Sequence, residues 1–190
     1  MRCLLCEKLS FQIICKACQT TLLVPSFHKR EIEDGFYNYS FYTLSELEDL
    51  ISSKYYFFGD RVFNILSQLS FEKFALNFSY EEQVFAVPID DHTRHEFSHS
   101  AILARALKSS FIQPSYNTLR ATNIVKYAGR DKEFRQKNPR RFQLTDFYYK
   151  TTILCDDIIT TGATIREAKK ALEKNNNQVL FSLTLADAKL

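Results

Sequence analysis

The residues of this chain best suited to chemistry fall at positions 152–164, which read Thr-Ile-Leu-Cys-Asp-Asp-Ile-Ile-Thr-Thr-Gly-Ala-Thr. Two adjacent carboxylates, Asp156 and Asp157, close a run of apolar residues and lead into a turn of hydroxyls and one glycine. Such a pair suits the hydroxyls of a ribose or a hard cation such as Mg2+. In the turn, Thr160, Thr161, Gly162, Ala163 and Thr164 stand where N–H groups at a helix N-terminus point outward and the helix dipole favours an anion. Gly162 lets backbone approach a phosphate closely, and the threonine hydroxyls add hydrogen bonds. The combination describes a sugar-phosphate site. A strand ending in two acids also accompanies nucleoside-triphosphate loops, but those need G-x-x-x-x-G-K-[ST], and Gly35, Gly59, Gly129 and Gly162 supply no such loop. The plainer alternative is an acidic strand end solvated at the rim of a sheet.

A second chemical cluster lies at the start of the chain. Cys3, Cys6, Cys15 and Cys18 form a C-x2-C-x8-C-x2-C pattern. Each pair can direct two thiolates at one centre, and four thiolates complete the closed tetrahedral shell of a structural Zn2+. So short a segment cannot bury enough apolar surface to fold by itself, whereas zinc supplies on the order of 10 kcal/mol in comparable peptides. Two disulfides, a redox C-x-x-C and an iron–sulfur cluster are the alternatives, and the paired spacing favours zinc over them. Cys155, inside the apolar run before Asp156, reads as a small core residue.

The third feature is electrostatic. Residues 120–141 carry eight basic side chains against Asp131 and Glu133, a net +6 in a chain whose total is +3. Lys126, Arg130, Lys132, Arg135, Lys137, Arg140 and Arg141 can track a phosphate backbone, with Tyr127, Phe134 and Phe142 interleaved to stack on bases. That is the composition of sequence-tolerant single-strand binding. The competing reading is a solvated hood over the sugar-phosphate site, its cations meeting pyrophosphate instead of DNA.

The elements that must position these groups follow from periodicity. Leu44, Leu47, Leu50 and Ile51, and then Val62, Leu66 and Leu69, predict two amphipathic helices separated by Gly59 and Asp60. The aromatic-rich residues 36–42 read as a strand, and the charged run 28–34 before them as part of a connector. Val84 to Val87 make a short strand stopped by Pro88, and Ile102, Leu103, Ala106 and Leu107 mark a helix. Further strands are expected near 116–119 and over 179–185, with a long loop over 120–141 and a helix after Gly162. Strand and helix alternate through this half, which predicts an α/β fold with a mainly parallel sheet flanked by helices, and ligands at the carboxyl ends of its strands. The organisation expected is a four-cysteine zinc finger at 1–22, a two-helix connector at 23–82 and the α/β domain at 83–190. No stretch approaches eighteen consecutive apolar residues and no signal-peptide core opens the chain, so a cytoplasmic protein without a transmembrane segment is expected.

The 152–164 segment resembles the signature of the type I phosphoribosyltransferase superfamily, in which the two carboxylates contact the ribose hydroxyls of phosphoribosyl pyrophosphate and the turn holds its 5′-phosphate. With the four cysteines, Lys54 and Gly59 after an apolar helix, the Val87-Pro88 strand end, Phe97 with Leu103-Ala104, and Arg135-x-x-Asn138 before Phe142, the whole chain resembles the competence protein family ComF (ComFC). The resemblance implies a phosphoribosyltransferase-like fold and a phosphoribosyl pyrophosphate site with Mg2+ at Asp156, Asp157 and 160–164. It also implies the handling of single-stranded DNA during natural transformation, at the cytoplasmic face of the inner membrane, with a DNA-uptake helicase and inner-membrane channel proteins as partners. An active phosphoribosyltransferase, with Asp156 and Asp157 facing the reacting ribose, is the second function it allows. Where the family commonly has Arg-Gly-Phe-Asn-Gln, this chain has His95-Glu96-Phe97-Ser98-His99. His92, His95 and His99 read as solvated side chains rather than a metal cluster.

Overall fold

The computed structural model describes residues 1–89, 97–123 and 140–190. In chain order the elements are α1 (Lys16–Thr21), β1 (His28–Glu33), β2 (Phe36–Thr43), α2 (Leu44–Ser52), a 3-10 turn (Ser53–Tyr55), α3 (Gly59–Leu69), α4 (Phe71–Leu76) and β3 (Val84–Pro88). They continue with α5 (His99–Ala106), β4 (Ile112–Pro114), β5 (Leu119–Ala121), β6 (Phe142–Leu144), β7 (Thr151–Ile159), α6 (Ala163–Glu173) and β8 (Gln178–Asp187).

Six strands form one sheet in the order β1-β2-β8-β7-β3-β4. The strands from β2 to β4 run parallel, and β1 returns antiparallel along the edge beside β2. The central strand β7 is apolar because it is covered on both faces. Its two-residue period sends Ile153 and Cys155 into the core shared with Val62, Phe63 and Leu66 of α3 and Leu103 and Ala104 of α5. Leu154 faces the opposite core, built on Ile165, Ala168 and Leu172 of α6. Cys155 is fully buried, as expected of a small core residue. Between β2 and β8 the Asn38 amide donates to Thr184 and accepts from the Ser182 hydroxyl, a buried polar link that specifies their register.

The topology dictates where a ligand can sit. From β3 the chain crosses through α5 to β4 on one side, and from β7 it crosses through α6 to β8 on the other. The winding direction therefore reverses between the neighbours β3 and β7, the kind of point at which open α/β sheets take ligands beyond the carboxyl ends of their strands. Pro88 pairs with Cys155, so Asp156 and Asp157 lie just beyond the end of β3.

Several elements differ from the sequence expectations. The charged run 28–34 is largely strand β1, an edge strand whose polar composition is that of a strand covered on one side only. The strand expected near 116–119 is two short strands on either side of a turn, where Asn117 takes a positive φ of 56° and the Ser115 and Thr118 hydroxyls bond to each other. Strand β7 runs on through both aspartates to Ile159. Arg120 and Ala121, expected in a loop, belong to a two-stranded ribbon of β5 with β6. At the other end of the chain, Cys3, Ile13, Ile14, Cys18 and Leu23 pack into the same core as α2, α3 and α5.

Candidate functional site

The two aspartates are neighbours near the end of β7, and their carboxyl oxygens lie within 4.8 Å of each other. Asp157 faces α3 and α5. Its Oδ2 lies 2.6 Å from the Lys54 ammonium and 3.6 Å from Nε2 of His99. Lys54 comes from the 3-10 turn after α2, a helix started by the Thr43–Glu46 capping box, and His99 is the first residue of α5, capped by Ser98. Burial opposes ionisation of the Asp157 carboxyl, but the Lys54 ammonium and the His99 ring outweigh it and hold the group well below the usual carboxylate range. Burial and the negative charge of Asp157 push the Asp156 carboxyl well above the usual range, against the pull of Lys54 and of Arg140. The two carboxyls are thus shifted in opposite directions, the response of two like charges held side by side.

His99, Asp156 and Asp157 offer ligand atoms within 4.8 Å of one another. A divalent cation at that point competes with the ammonium already on Asp157 Oδ2.

The turn after β7 is built to present N–H groups. Gly162 adopts φ 75° immediately before α6, in the left-handed region where a side chain is strained, and a Cβ there would meet Ile32 Cγ2 at 2.8 Å. From the β1 edge, Arg30 Nη2 donates to the Thr160 carbonyl at 3.0 Å while its Nη1 pairs with buried Asp187 at 2.8 Å. Arg166 Nη2 donates to the Thr161 carbonyl at 3.2 Å. Because a trans peptide points its N–H opposite its C=O, these contacts aim the N–H groups of Thr161 and Gly162 away from the two guanidiniums. The Thr161 hydroxyl accepts from the Ala163 N–H. Oriented amides, a helix N-terminus and two guanidiniums behind them are groups of the kind that can hold an anion.

Of the seven basic residues singled out in the sequence, Lys126, Arg130, Lys132, Arg135 and Lys137 lie outside the described residues. Arg140 and Arg141 donate their backbone N–H groups to the two oxygens of Glu167 on α6, at 3.0 and 2.6 Å. The Arg140 side chain is half-buried within the field of Asp156, Glu167 and Asp157, and Arg141 is exposed. The structure therefore places Arg140 beside the acid pair and Arg141 outside it.

The four N-terminal cysteines converge, their sulfurs all within 4.8 Å of one another and those of Cys6 and Cys15 3.7 Å apart. Four sulfurs at ~2.3 Å from one tetrahedral Zn2+ would be about 3.8 Å apart, so the group can hold a metal such as zinc. Burial works against ionisation of Cys3, yet N–H groups of Cys15, Cys6 and Leu5 directed at its sulfur lower its thiol to about 6. Cys18, buried among the other sulfurs, is pushed up to about 12.

Asp156, Asp157 and residues 160–164 lie along one strand–turn–helix unit, and Lys54 and His99, neither assigned a role from the sequence, also reach Asp157. Lys54 carried no role beyond its place in a weak pattern, and His99 was read as solvated. His92 and His95 lie outside the described residues. Arg30 and Arg166 were likewise unassigned. Comparison of the chain with known protein families and with curated proteins finds no match. Among the described residues no helix is long and apolar enough to cross a membrane.

Proposed function

We propose that this protein binds a phosphorylated ribose of the phosphoribosyl pyrophosphate class. The observation that carries the reading is the sequence of groups at the switch point: an acid pair on β7, then a left-handed glycine, then the N-terminus of α6. The 5′-phosphate belongs in the cradle of 160–164, where oriented amides replace its water. The ribose hydroxyls belong on Asp156, while Lys54 and His99 hold Asp157. Mg2+ would arrive with the pyrophosphate and neutralise its charge, with Arg140 on the same side as Asp156. In the N-terminal module, Cys3, Cys6, Cys15 and Cys18 hold a structural zinc.

In the cell this site serves a protein that handles single-stranded DNA during natural transformation, in line with the resemblance to the ComF family. The support from this chain is the basic segment 120–141, whose exposed end is Arg141. The second reading, active phosphoribosyl transfer, is favoured by one observation: Arg140 and Lys54 both act on the acid pair, where cations would stabilise departing pyrophosphate. Titration of a single-stranded oligonucleotide, with and without phosphoribosyl pyrophosphate and Mg2+, tests both parts. Binding that weakens steeply with salt and falls in the Arg140→Ala, Arg141→Ala variant is expected. No binding near physiological salt would sink the DNA assignment, and base-dependent pyrophosphate release abolished by Asp156→Asn would establish the transferase.

A further inference from the structure

The edge strand β1 follows the turn after β7 and the first turns of α6, residue by residue. Arg30 meets Thr160, Ile32 meets Gly162 and Arg166, and Glu33 meets Lys169 at 2.8 Å. At the head of this series is a buried relay. Asp187, the last residue of β8, is fully buried, and its Oδ1 pairs with Arg30 Nη1 at 2.8 Å while accepting from the Lys189 N–H at the same distance. Its Oδ2 has no hydrogen-bond partner among the described residues. The second arm of the guanidinium, Nη2, donates to the Thr160 carbonyl at 3.0 Å. Asp187 is paired in register with Thr43 of β2 on one side and Ile159 of β7 on the other, so its backbone is fixed, and its carboxylate fixes the guanidinium.

Stability alone does not explain this arrangement. An ion pair taken out of water regains little more than its lost solvation, and apolar residues of similar volume often serve as well. A carboxylate behind a helix N-terminus also opposes the anion that the terminus favours. What the pair supplies is direction. A rigid fork held at one end by Asp187 pins the Thr160 carbonyl at the other, and the trans peptide then turns the Thr161 N–H the opposite way. We propose that Arg30, held by Asp187, is the positioning residue that sets the 160–161 peptide for anion binding, so that the phosphate affinity of the turn depends on strand β1. This rests on the sugar-phosphate reading for the ligand, and on the relay alone for the orientation of the peptide. The site is then shared between the connector and the α/β region, 130 residues apart in sequence.

The test uses the full chain as wild type, Arg30→Lys, Asp187→Asn and Glu33→Gln, with ribose 5-phosphate and inorganic phosphate as probes. The amide resonances of Thr161 and Gly162 are followed with and without each probe. Arg30→Lys keeps the charge and replaces the fork with a single ammonium, and Asp187→Asn keeps the shape and releases the fork. Glu33→Gln breaks a neighbouring contact of β1 with α6 and leaves the relay intact. One hydrogen bond to a charged group is worth roughly tenfold in affinity. Arg30→Lys and Asp187→Asn should therefore bind both probes at least tenfold more weakly, with the Thr161 amide displaced already in the ligand-free protein, while Glu33→Gln matches wild type in both respects. Wild-type affinity in Arg30→Lys would show that charge suffices and overturn the proposal. Equal weakening in Glu33→Gln, or weakening with an unmoved Thr161 amide, would reduce the pair to a structural contact and overturn it as well. If wild type binds neither probe but the amide moves in Arg30→Lys and Asp187→Asn alone, the sugar-phosphate reading fails while the positioning by Arg30 stands.

Discussion

Replacing Lys54 by methionine keeps the length of the side chain and removes the ammonium 2.6 Å from Asp157. The side chains of the pair are 17% and 8% exposed, so the orphaned carboxylate cannot recover its water without local opening. Breaking a buried pair from one side costs about 3–5 kcal/mol. His99 remains 3.6 Å away as a second partner, which places the expectation near about 2–3 kcal/mol. For a chain of this size that is roughly 5–10 °C of melting temperature. The pH dependence has a definite sign. Asp157 titrates below its unfolded value, so the stability it contributes is fully present above about pH 4 and is lost as pH falls toward its folded pKa. The deficit of Lys54→Met should therefore be full at pH 7 and shrink below pH 4, as protonation removes the charge that needs the ammonium. The assay is thermal and urea unfolding of wild type, Lys54→Met and Lys54→Met with Asp157→Asn, from pH 3 to pH 8. The double variant should recover most of the loss at neutral pH. A single variant that melts within about 2 °C of wild type at pH 7, or a double variant no better than the single one, refutes the idea that Lys54 is held by Asp157.

Asp156 behaves in the opposite sense. Its carboxyl titrates above the unfolded value, so folding loses stability as pH rises through that interval, and Asp156→Asn should melt higher than wild type at pH 7 while losing sugar-phosphate binding. Equal or lower stability in calorimetry would contradict the repulsion between the two acids. Gly162→Ala should cost about 1–3 kcal/mol, because φ 75° is strained for alanine and Ile32 stands in the way, and phosphate affinity should fall with it. Wild-type phosphate affinity in that variant would show that the turn is not the cradle. Metal analysis of protein purified without chelators should give about one zinc per chain, and a strong chelator should lower the melting temperature. Less than about half an equivalent under reducing conditions would remove the zinc assignment.

The parts of the site legible in sequence are those in which local chemistry and local structure coincide. The apolar run, the acids, Gly162 and the apolar spacing of Ile165, Ala168 and Leu172 all lie within one strand–turn–helix unit, and each follows from periodicity or backbone freedom. The cysteines were legible for the same reason, since their spacing alone brings four sulfurs together. Lys54 is 103 residues from Asp157, and nothing local marks a lysine on an aromatic turn as its partner. His99 was obscured by two neighbouring histidines that invited a single reading for all three. Arg30 was hidden in a charged run because an edge strand needs an apolar pattern on one face at most, and its role depends on Thr160, 130 residues away. The turn at Asn117 broke one expected strand into two, since a residue at positive φ cannot continue a ladder.

The central claim, that a phosphorylated ribose binds at the switch point, is tested most directly by following the backbone amide resonances of Thr161, Gly162, Ala163 and Thr164 during titration with phosphoribosyl pyrophosphate and Mg2+. Saturable shifts centred on these four amides and on Asp156 are expected, and they should be abolished in Asp156→Asn. Saturation with shifts elsewhere, or no saturable shift at all, would contradict it.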